Sequence, residues 1–367
     1  MEKLKQSVKK ATSEKIFSGI GIEVNYKGKN VLSLYDGKNM FEEKGQKEEA
    51  EIITPSHFFD LASLTKPLCT SLLTSILVDK GCLAFDTKIS DIMDEFSLSY
   101  NKELSGIKIE NLLNHSSGLD AWMQIYNTVK SRSDAYMLVR SKSLAYSTGS
   151  KNLYSDLGYI LLGELLEITT EHKLNYLFEH FVTSQMGLKE LCFIPISDPS
   201  SKDNKKFVSS GFSEVRNKQL IGEVNDENTF VFNGIAGHAG LFGTARNVCS
   251  LAQELLNIIE GKSTSAIISK ETLLKSLQRT SSSSEWGYGW HYPSGKDSTG
   301  GKNLSKNSIG MNGFTGTSIW IDIDNSLVIT ILTNRTIATD AAKFGGIKDR
   351  FSALRPLMHD IITGELI

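Results

Sequence analysis

The chain has 367 residues, of which 40% are hydrophobic and 22% are charged, and its formal net charge is −2. This composition is typical of a soluble globular protein with one large or two ordinary domains. This net charge gives no indication of a nucleic-acid-binding surface, and no apolar run is long enough to span a bilayer.

Cysteine and histidine spacing gives no sign of a metal or redox site. The cysteines form no C-x-x-C pair; they are Cys69, Cys82, Cys192 and Cys249. The histidines show no H-E-x-x-H or comparable spacing, and there is no G-x-x-x-x-G-K-[ST] phosphate loop. We therefore expect reduced thiols, no bound metal and no cofactor.

The first elements of the chain predict a helix followed by a hairpin. Residues 1–17 have the charged start of a signal peptide without an apolar core after it, which indicates a short amphipathic helix in a cytoplasmic protein. Surface anchoring by that helix is the alternative. The next stretch, GIGIEVNYKGKNVLSLYDG, alternates apolar and polar residues around Lys27-Gly28-Lys29, which is typical of a β-hairpin.

The middle of the chain is mostly helical in pattern. A helix is predicted from Ser63 to Lys80, ending at Gly81, and apolar residues at helical spacing predict further helices over 159–171 and 175–185. Thr244 is the predicted cap of a helix that ends at Gly261. The polar stretches 197–210 and 294–308 predict exposed loops.

In the C-terminal part of the chain, the spacing of apolar residues changes from a helical period to the two-residue period of strands. WGYGWHY, residues 286–292, predicts a strand, and GFTGTSIWIDIDNSLVITILTNR, residues 313–335, predicts a hairpin with its turn at Asp324-Asn325. A last helix is predicted over about 346–362, with one apolar side formed by Leu354, Leu357, Ile361 and Ile362.

Strands at both ends and helices between them predict an α+β fold. We expect an antiparallel sheet flanked by helices, with a mostly helical domain inserted. The expected sheet domain comprises residues 1–60 and 280–367, and the helical domain comprises 61–279. Ser63 then lies at the junction of the two, where clefts form.

The pair Ser63 and Lys66 is the candidate reactive pair. Ser-x-x-Lys also occurs at three other places, Ser7–Lys10, Ser99–Lys102 and Ser105–Lys108, so the spacing alone does not decide. Only Ser63 begins a long apolar segment, where a lysine in the first turn is costly unless it has a partner. The alternative is an ordinary helix start with a solvated lysine.

Five stretches in order carry a family resemblance. They are FDLASLTK (59–66), LLNHSSGL (112–119), YSDLGYILLGELLE (154–167), GIAGHAGLFGTA (234–245) and GFTGTSIWID (313–322). Together they resemble the serine β-lactamase and penicillin-binding protein superfamily, closest to its class C and esterase branch. The resemblance covers about residues 17–362 and implies a β-lactamase-like fold, which agrees with the architecture predicted from periodicity.

The resemblance implies acyl-transfer chemistry on Ser63. The serine hydroxyl would attack a carbonyl carbon after losing its proton to a base. Lys66, whose pKa should fall if it is buried, and Tyr154 are the two candidate bases, and the sequence does not choose between them. The backbone N–H groups of Ser63 and Phe314 would form the oxyanion hole.

The resemblance also implies the substrate-binding residues Asp156, Asn312, Gly313 and Thr315. The family usually has an asparagine where this chain has Asp156, and that carboxylate should repel an anionic substrate. Capping of the following helix is another explanation for Asp156. His115 is expected to have a structural role in a turn. His238 is expected to pack within a loop, with substrate contact as the alternative.

The chain departs from the family at its third motif, where Met311-Asn312-Gly313 replaces Lys-Thr-Gly or His-Thr-Gly. The cation that helps bind a substrate carboxylate is missing. We therefore expect an esterase-like serine hydrolase with weak or no β-lactamase activity, acting on a small-molecule ester or amide. The alternatives are a β-lactamase or D-alanyl peptidase-like enzyme acting on cell-wall-type amides, and a non-catalytic ligand-binding member. The sequence leaves the physiological substrate and the oligomeric state open.

Overall fold

The computed structural model describes residues 1–41, 49–198, 204–263, 265, 267–279, 285–295, 298–337 and 341–367, with only the backbone for 341–349. The α-helices are α1 Glu2–Ser13, α2 Leu72–Asp79, α3 Ile89–Glu95, α4 Ile109–Leu113, α5 Ile125–Thr128, α6 Arg132–Arg140, α7 Asp156–Thr170, α8 Leu174–Phe178, α9 Ser184–Met186, α10 Glu227–Val231, α11 Ala245–Glu260, α12 Lys270–Ser276 and α13 Ala341–Leu366. The strands are β1 Gly19–Tyr26, β2 Lys29–Gly37, β3 Phe59–Asp60, β4 Leu191–Phe193, β5 Gly211–Ser213, β6 Lys218–Leu220, β7 Leu241–Gly243, β8 Ile309–Asn312, β9 Ser318–Asp322 and β10 Leu327–Thr333.

The main sheet joins strands from distant parts of the chain. Within the described residues it has five strands in the order β2-β1-β10-β9-β8, and every neighbouring pair is antiparallel. The register of the central pair places Ile22 opposite Ile331. A smaller sheet, β3-β7-β4, carries the segment that leads into Ser63. These sheets confirm the predicted α+β fold class.

Both predicted hairpins form. Lys27 and Gly28 have φ angles of 50° and 76°, as the two-residue turns that match the strand twist require. The second hairpin pairs Asp322 with Leu327 around a turn that contains Asp324 and Asn325.

Helices cover both faces of the main sheet because its strands alternate apolar residues between the faces. One face packs with α1 and α13 and buries Ile20, Ile22, Ile329 and Ile331. The other face packs with α11 and α2 and buries Ile319, Ile321, Val328 and Leu332. Helix α7 is almost wholly buried at the centre of the helical part, among α3, α4 and α6. Because α11 packs on the sheet, it lies with the sheet layers rather than with the helical part. The predicted domain boundaries remain a prediction.

Several predicted elements differ in detail. The segment after Ser63 is not one regular helix, since a 3₁₀ turn Ala62–Leu64 and a π-helical turn Lys66–Ser71 precede α2. WGYGWHY is not a strand: it forms isolated bridges, Trp286 with His291 and His291 with Gly310. These bridges extend the sheet edge beside β8.

The last helix is longer than predicted, and its predicted apolar side is correct in part: Ile362 is buried, and Leu354 and Ile361 pack against the core. Leu357 is exposed, while the buried residues are Phe351, Arg355, Met358, His359, Ile362 and Thr363. Polar residues occupy this face because the cavity wall and Ser318 offer them contacts, and the His359 ring lies 3.2 Å from the Ser318 hydroxyl. The predicted loops 197–210 and 294–308 lie partly outside the described residues. The described part of the first loop contains a short 3₁₀ turn, Asn204–Lys206.

Candidate active site

A strained turn presents Ser63. Strand β3 ends at Asp60, and Ala62 then adopts the left-handed conformation with φ of 47°, which is costly for a residue with a side chain. The Asp60 carboxylate stabilises this turn by accepting the Ala62 N–H at 2.8 Å. Ser63 is half-buried and lines a cavity of about 800 Å³.

Lys66 lies one turn later with its side chain 0% exposed. Its Nζ donates to the Ser63 hydroxyl at 3.2 Å and to the His238 carbonyl at 3.0 Å, and it lies 2.8 Å from Asp156 Oδ1. The ammonium is therefore fixed by three oxygen atoms. The solvated-lysine alternative does not apply to this residue.

The pKa of Lys66 differs from the expectation for a buried lysine. Burial works to lower it, but the negative charge of Asp156, followed by the interaction with Tyr154, outweighs burial and raises the pKa above its ordinary value. The expected fall was wrong because the ion pair with Asp156 was not foreseen. Lys66 is held as a cation.

Tyr154 lies against the same ammonium. Its ring centroid is 4.8 Å from Lys66 Nζ, in a cation–π contact. Burial raises the pKa of Tyr154, while its interactions with Lys66 and Ser63 lower it, and the net direction is upward. The phenol is neutral in the resting site, with a cation at hand to stabilise its phenolate.

Asp156 opens α7 but does not cap it. The cap is Ser155, whose hydroxyl accepts the Gly158 N–H at 3.0 Å. The capping explanation for Asp156 was therefore wrong. Its carboxylate instead lines the cavity as the counter-ion of Lys66, so its charge is offset.

The segment after β8 packs against the turn that presents Ser63. Gly313 donates its N–H to the Thr317 carbonyl at 2.8 Å, and a Cβ added at Gly313 would lie 2.6 Å from the Leu61 carbonyl oxygen. Only a glycine permits this approach of strand to turn. Ser63 and Phe314, whose backbone N–H groups are the predicted oxyanion donors, both border the cavity. Their role stays a prediction.

Two threonines fasten this segment to the nucleophile turn. Thr315 donates to the Asp60 carbonyl at 2.7 Å, and Thr317 donates to the Leu61 carbonyl at 3.1 Å. Thr315 was predicted to bind substrate, but its side chain is buried and engaged with backbone, so it positions the turn. Asn312 and Gly313 do line the cavity, and the Asn312 amide donates to Thr299 at 2.6 Å.

The two histidines are fixed by local contacts. The His115 ring is buried, accepts the Ser155 N–H at 3.1 Å and packs on Tyr154 and Trp286 at centroid distances of 4.7 and 4.8 Å. Burial, followed by the Lys66 charge, holds the pKa of His115 well below its ordinary value. His238 Nε2 lies 2.9 Å from Asp226, and His238 also lines the cavity. The roles of both histidines stay predictions.

The cavity wall includes two cations that the sequence prediction missed. Arg335 follows β10 and Arg355 lies on α13, and both residues line the same cavity as Ser63. The only sequence signal was the arginine within the final helix, at a position that falls on the buried face. The third motif itself contributes no cation.

Within the described parts of the chain, no group of histidine, cysteine or acidic side chains has the arrangement of a metal site. Among the described helices, none combines the length and hydropathy needed to cross a membrane.

Comparison with known proteins assigns the chain to a family. The model of the Beta-lactamase family matches residues 4–349. A curated relative from Escherichia coli K12, named "Putative D-alanyl-D-alanine carboxypeptidase", is 27% identical over 346 residues, which cover 86% of this chain and 80% of the relative. A solved class C β-lactamase superposes with a TM-score of 0.71 at 17% identity, covering 97% of both chains. EstCE1, a hydrolase with promiscuous acyltransferase activity, superposes with a TM-score of 0.70 at 17% identity, covering 97% of this chain and 98% of its own. The chain belongs to the Beta-lactamase family.

Proposed function

We propose that the protein is an esterase-like serine hydrolase that forms an acyl-enzyme on Ser63. The observation that carries the proposal is the position of the Lys66 ammonium, 3.2 Å from the Ser63 hydroxyl and held by Asp156 and the His238 carbonyl. A serine beside a fixed, fully buried cation, at the wall of a large cavity, is suited to nucleophilic catalysis.

Tyr154 is the proposed proton acceptor. Because Asp156 keeps Lys66 protonated, the lysine is a poor base, and its charge instead favours the Tyr154 phenolate. Tyr154 would first lose its own proton to solvent. Ser63 would then pass its proton to the Tyr154 phenolate while the serine oxygen bonds to the carbonyl carbon. The bond to the leaving alkoxide would then break, and the alkoxide would take the proton from Tyr154.

Water would complete the cycle. Tyr154, again unprotonated, would accept a proton from water as the hydroxide oxygen bonds to the acyl carbon. The Ser63 ester bond would break, and the serine oxygen would recover the proton. The predicted backbone donors, Ser63 and Phe314, would stabilise the negative oxygen in both steps. The loss of one such donor typically lowers the rate by roughly 10²- to 10³-fold.

An ester is the proposed substrate because Met311-Asn312-Gly313 lacks the family's cation, and esters are cleaved without need of it. EstCE1 supports this proposal as a hydrolase of the same fold. The second candidate is cleavage of a D-alanyl amide, which is favoured by the name of the Escherichia coli relative.

Intact-protein mass after exposure to a fluorophosphonate tests the nucleophile. We expect one adduct on the wild type and none on Ser63→Ala. Turnover of 4-nitrophenyl acetate, a penicillin and a D-alanyl-D-alanine peptide then separates the two candidates. Ester turnover alone supports the proposal, whereas faster peptide cleavage supports the second candidate. If the folded wild type gives no adduct and no turnover, the non-catalytic alternative replaces both.

A further inference from the structure

Arg335 and Arg355 form a pair of cations on the wall of the Ser63 cavity. Arg335 begins the 3₁₀ turn after β10, and its Nε donates to the Phe314 carbonyl at 2.7 Å. Its backbone N–H donates to the Thr315 carbonyl at 2.9 Å. These two hydrogen bonds fix the position of the guanidinium. Among the described residues, its terminal nitrogens have no carboxylate partner.

Arg355 is more deeply buried and has less support. It is 8% exposed, and its guanidinium carbon lies 4.9 Å from the centroid of the Phe351 ring. Its Nε is buried without a hydrogen-bond partner, and in the described parts of the chain no acidic side chain forms an ion pair with it. The Arg335 guanidinium lies over the same ring, at 5.8 Å.

Arg335 and Arg355 are two buried like charges with no counter-ion among the residues that the structure describes. Such an arrangement is unfavourable unless something supplies negative charge. Burial and then the charge of Arg335 lower the pKa of Arg355 to about 9. An anion between the two guanidinium groups would offset both the cost of burying Arg355 and its repulsion by Arg335. The planar fork of a guanidinium matches a carboxylate with two parallel hydrogen bonds.

We propose that Arg335 and Arg355 bind a carboxylate group of the substrate. This inference rests on the proposed hydrolase function and refines it, because it names an acid-bearing acyl compound as the substrate class. These two cations lie outside the third motif, on α13 and on the turn after β10, so an acid-bearing ester would be held without a cation at Met311-Asn312-Gly313. Asp156 does not oppose an anion here, since Lys66 neutralises it.

Matched ester pairs test the inference by turnover. In one pair the acyl group carries the charge: 4-nitrophenyl hydrogen glutarate against 4-nitrophenyl 5-methylhexanoate. In the other the leaving group carries it: 3-carboxyphenyl acetate against phenyl acetate. For at least one pair we expect kcat/KM to favour the anion tenfold or more. Arg355→Met should reduce that ratio by at least tenfold, and Arg355→Lys should reduce it less.

Arg350→Met is the matched control, because Arg350 is on the same helix, carries the same charge and pairs with Glu14 outside the cavity. The control should keep the wild-type ratio. The inference is overturned if neither pair shows a preference for the anion, or if Arg355→Met and Arg350→Met give the same ratio.

A binding measurement separates this inference from the hydrolase proposal. Calorimetric titration of Ser63→Ala with N-benzoylglycine and with the uncharged N-benzoylglycinamide should show tighter binding of the acid, lost in Ser63→Ala/Arg355→Met. If the wild type hydrolyses no ester but this difference is found, the carboxylate site stands and the hydrolase proposal fails. If esters are hydrolysed and the two ligands bind alike, the carboxylate site fails alone.

Discussion

The ammonium of Lys66 and the carboxylate of Asp156 are 2.8 Å apart, although the lysine follows the nucleophile turn and the aspartate opens α7. This ion pair sets the charge state of the site. It keeps Lys66 protonated, makes Tyr154 the better candidate base, and removes the net negative charge that Asp156 would otherwise contribute to the cavity.

Coupling between Lys66 and Asp156 should be measurable as stability. Removing Asp156 leaves a buried ammonium without its counter-ion, so we expect Asp156→Asn to destabilise the fold and Lys66→Met/Asp156→Asn to recover part of the loss. The coupling energy from urea unfolding of the four proteins should be about 0.5–3 kcal/mol. The exposed pair Lys102–Asp94 is the control and should show little coupling. Strictly additive losses for Lys66 and Asp156 would contradict the ion pair.

The pH dependence should report Tyr154 as the base. Its pKa lies above the ordinary value, so the reactive phenolate is scarce at neutral pH and increases as pH rises. For 4-nitrophenyl acetate, corrected for spontaneous hydrolysis, kcat/KM should rise from pH 7 to 9.5 by roughly tenfold per unit. Tyr154→Phe should abolish this rise. A plateau already reached near pH 7 would show that another group accepts the proton.

Gly313→Ala should separate the nucleophile from the oxyanion strand. The new Cβ would lie 2.6 Å from the Leu61 carbonyl, so the backbone must shift and carry Phe314 away from Ser63. Loss of one oxyanion donor predicts a fall in kcat of roughly 10²- to 10³-fold. Gly106→Ala is the control, because its Cβ would meet no atom within 4 Å, and its kcat should stay at the wild-type value. A normal kcat for Gly313→Ala would exclude this role for the strand.

Asp60 should make the protein less stable as pH rises through the weakly acidic range. Burial raises the pKa of Asp60 from 3.8 to about 6, so the folded state retains a proton that the unfolded state has lost. Its contribution to stability is complete below about pH 4, falls between about pH 4 and 6, and is constant above. Relative to Asp60→Asn, the wild type should lose about 3 kcal/mol of unfolding free energy over that interval. Urea unfolding at pH 4, 5, 6 and 7 measures this, and a difference that is constant or grows with pH would contradict it.

The fold could be predicted because its signals are local. Alternating residues, a turn such as Lys27-Gly28 and a cap such as Thr244 act within a few positions of the chain, and the structure confirms the elements that they predict. The prediction of a strand at WGYGWHY was wrong, because an apolar, aromatic run also suits a loop held by single bridges. The burial of Arg355 and His359 on the last helix could not be predicted from hydrophobicity, because Arg355 lines the cavity and His359 contacts the Ser318 hydroxyl.

The candidate site could be predicted only in part. The ordered motifs identified Ser63, Lys66 and Tyr154, and the structure brings them together, while their catalytic roles stay predictions. The direction of the Lys66 pKa could not be predicted, because it depends on a contact with a residue far away in sequence. The same holds for Arg335 and Arg355, which reach the cavity from two different elements, the turn after β10 and α13.

The sheet places a constraint on biosynthesis. The Asn334 side chain accepts the N–H of Ser18 at 3.0 Å across 316 residues of sequence, and β1 pairs directly with β10. During translation, the segment around Ser63 therefore leaves the ribosome long before the strands that hold it are made. Its apolar surface stays exposed until those strands have been synthesised. Closing such a long loop makes folding slow and post-translational. A truncated product that lacks β8 to β10 would retain the nucleophile motif without a site, and its exposed β1 edge would favour aggregation.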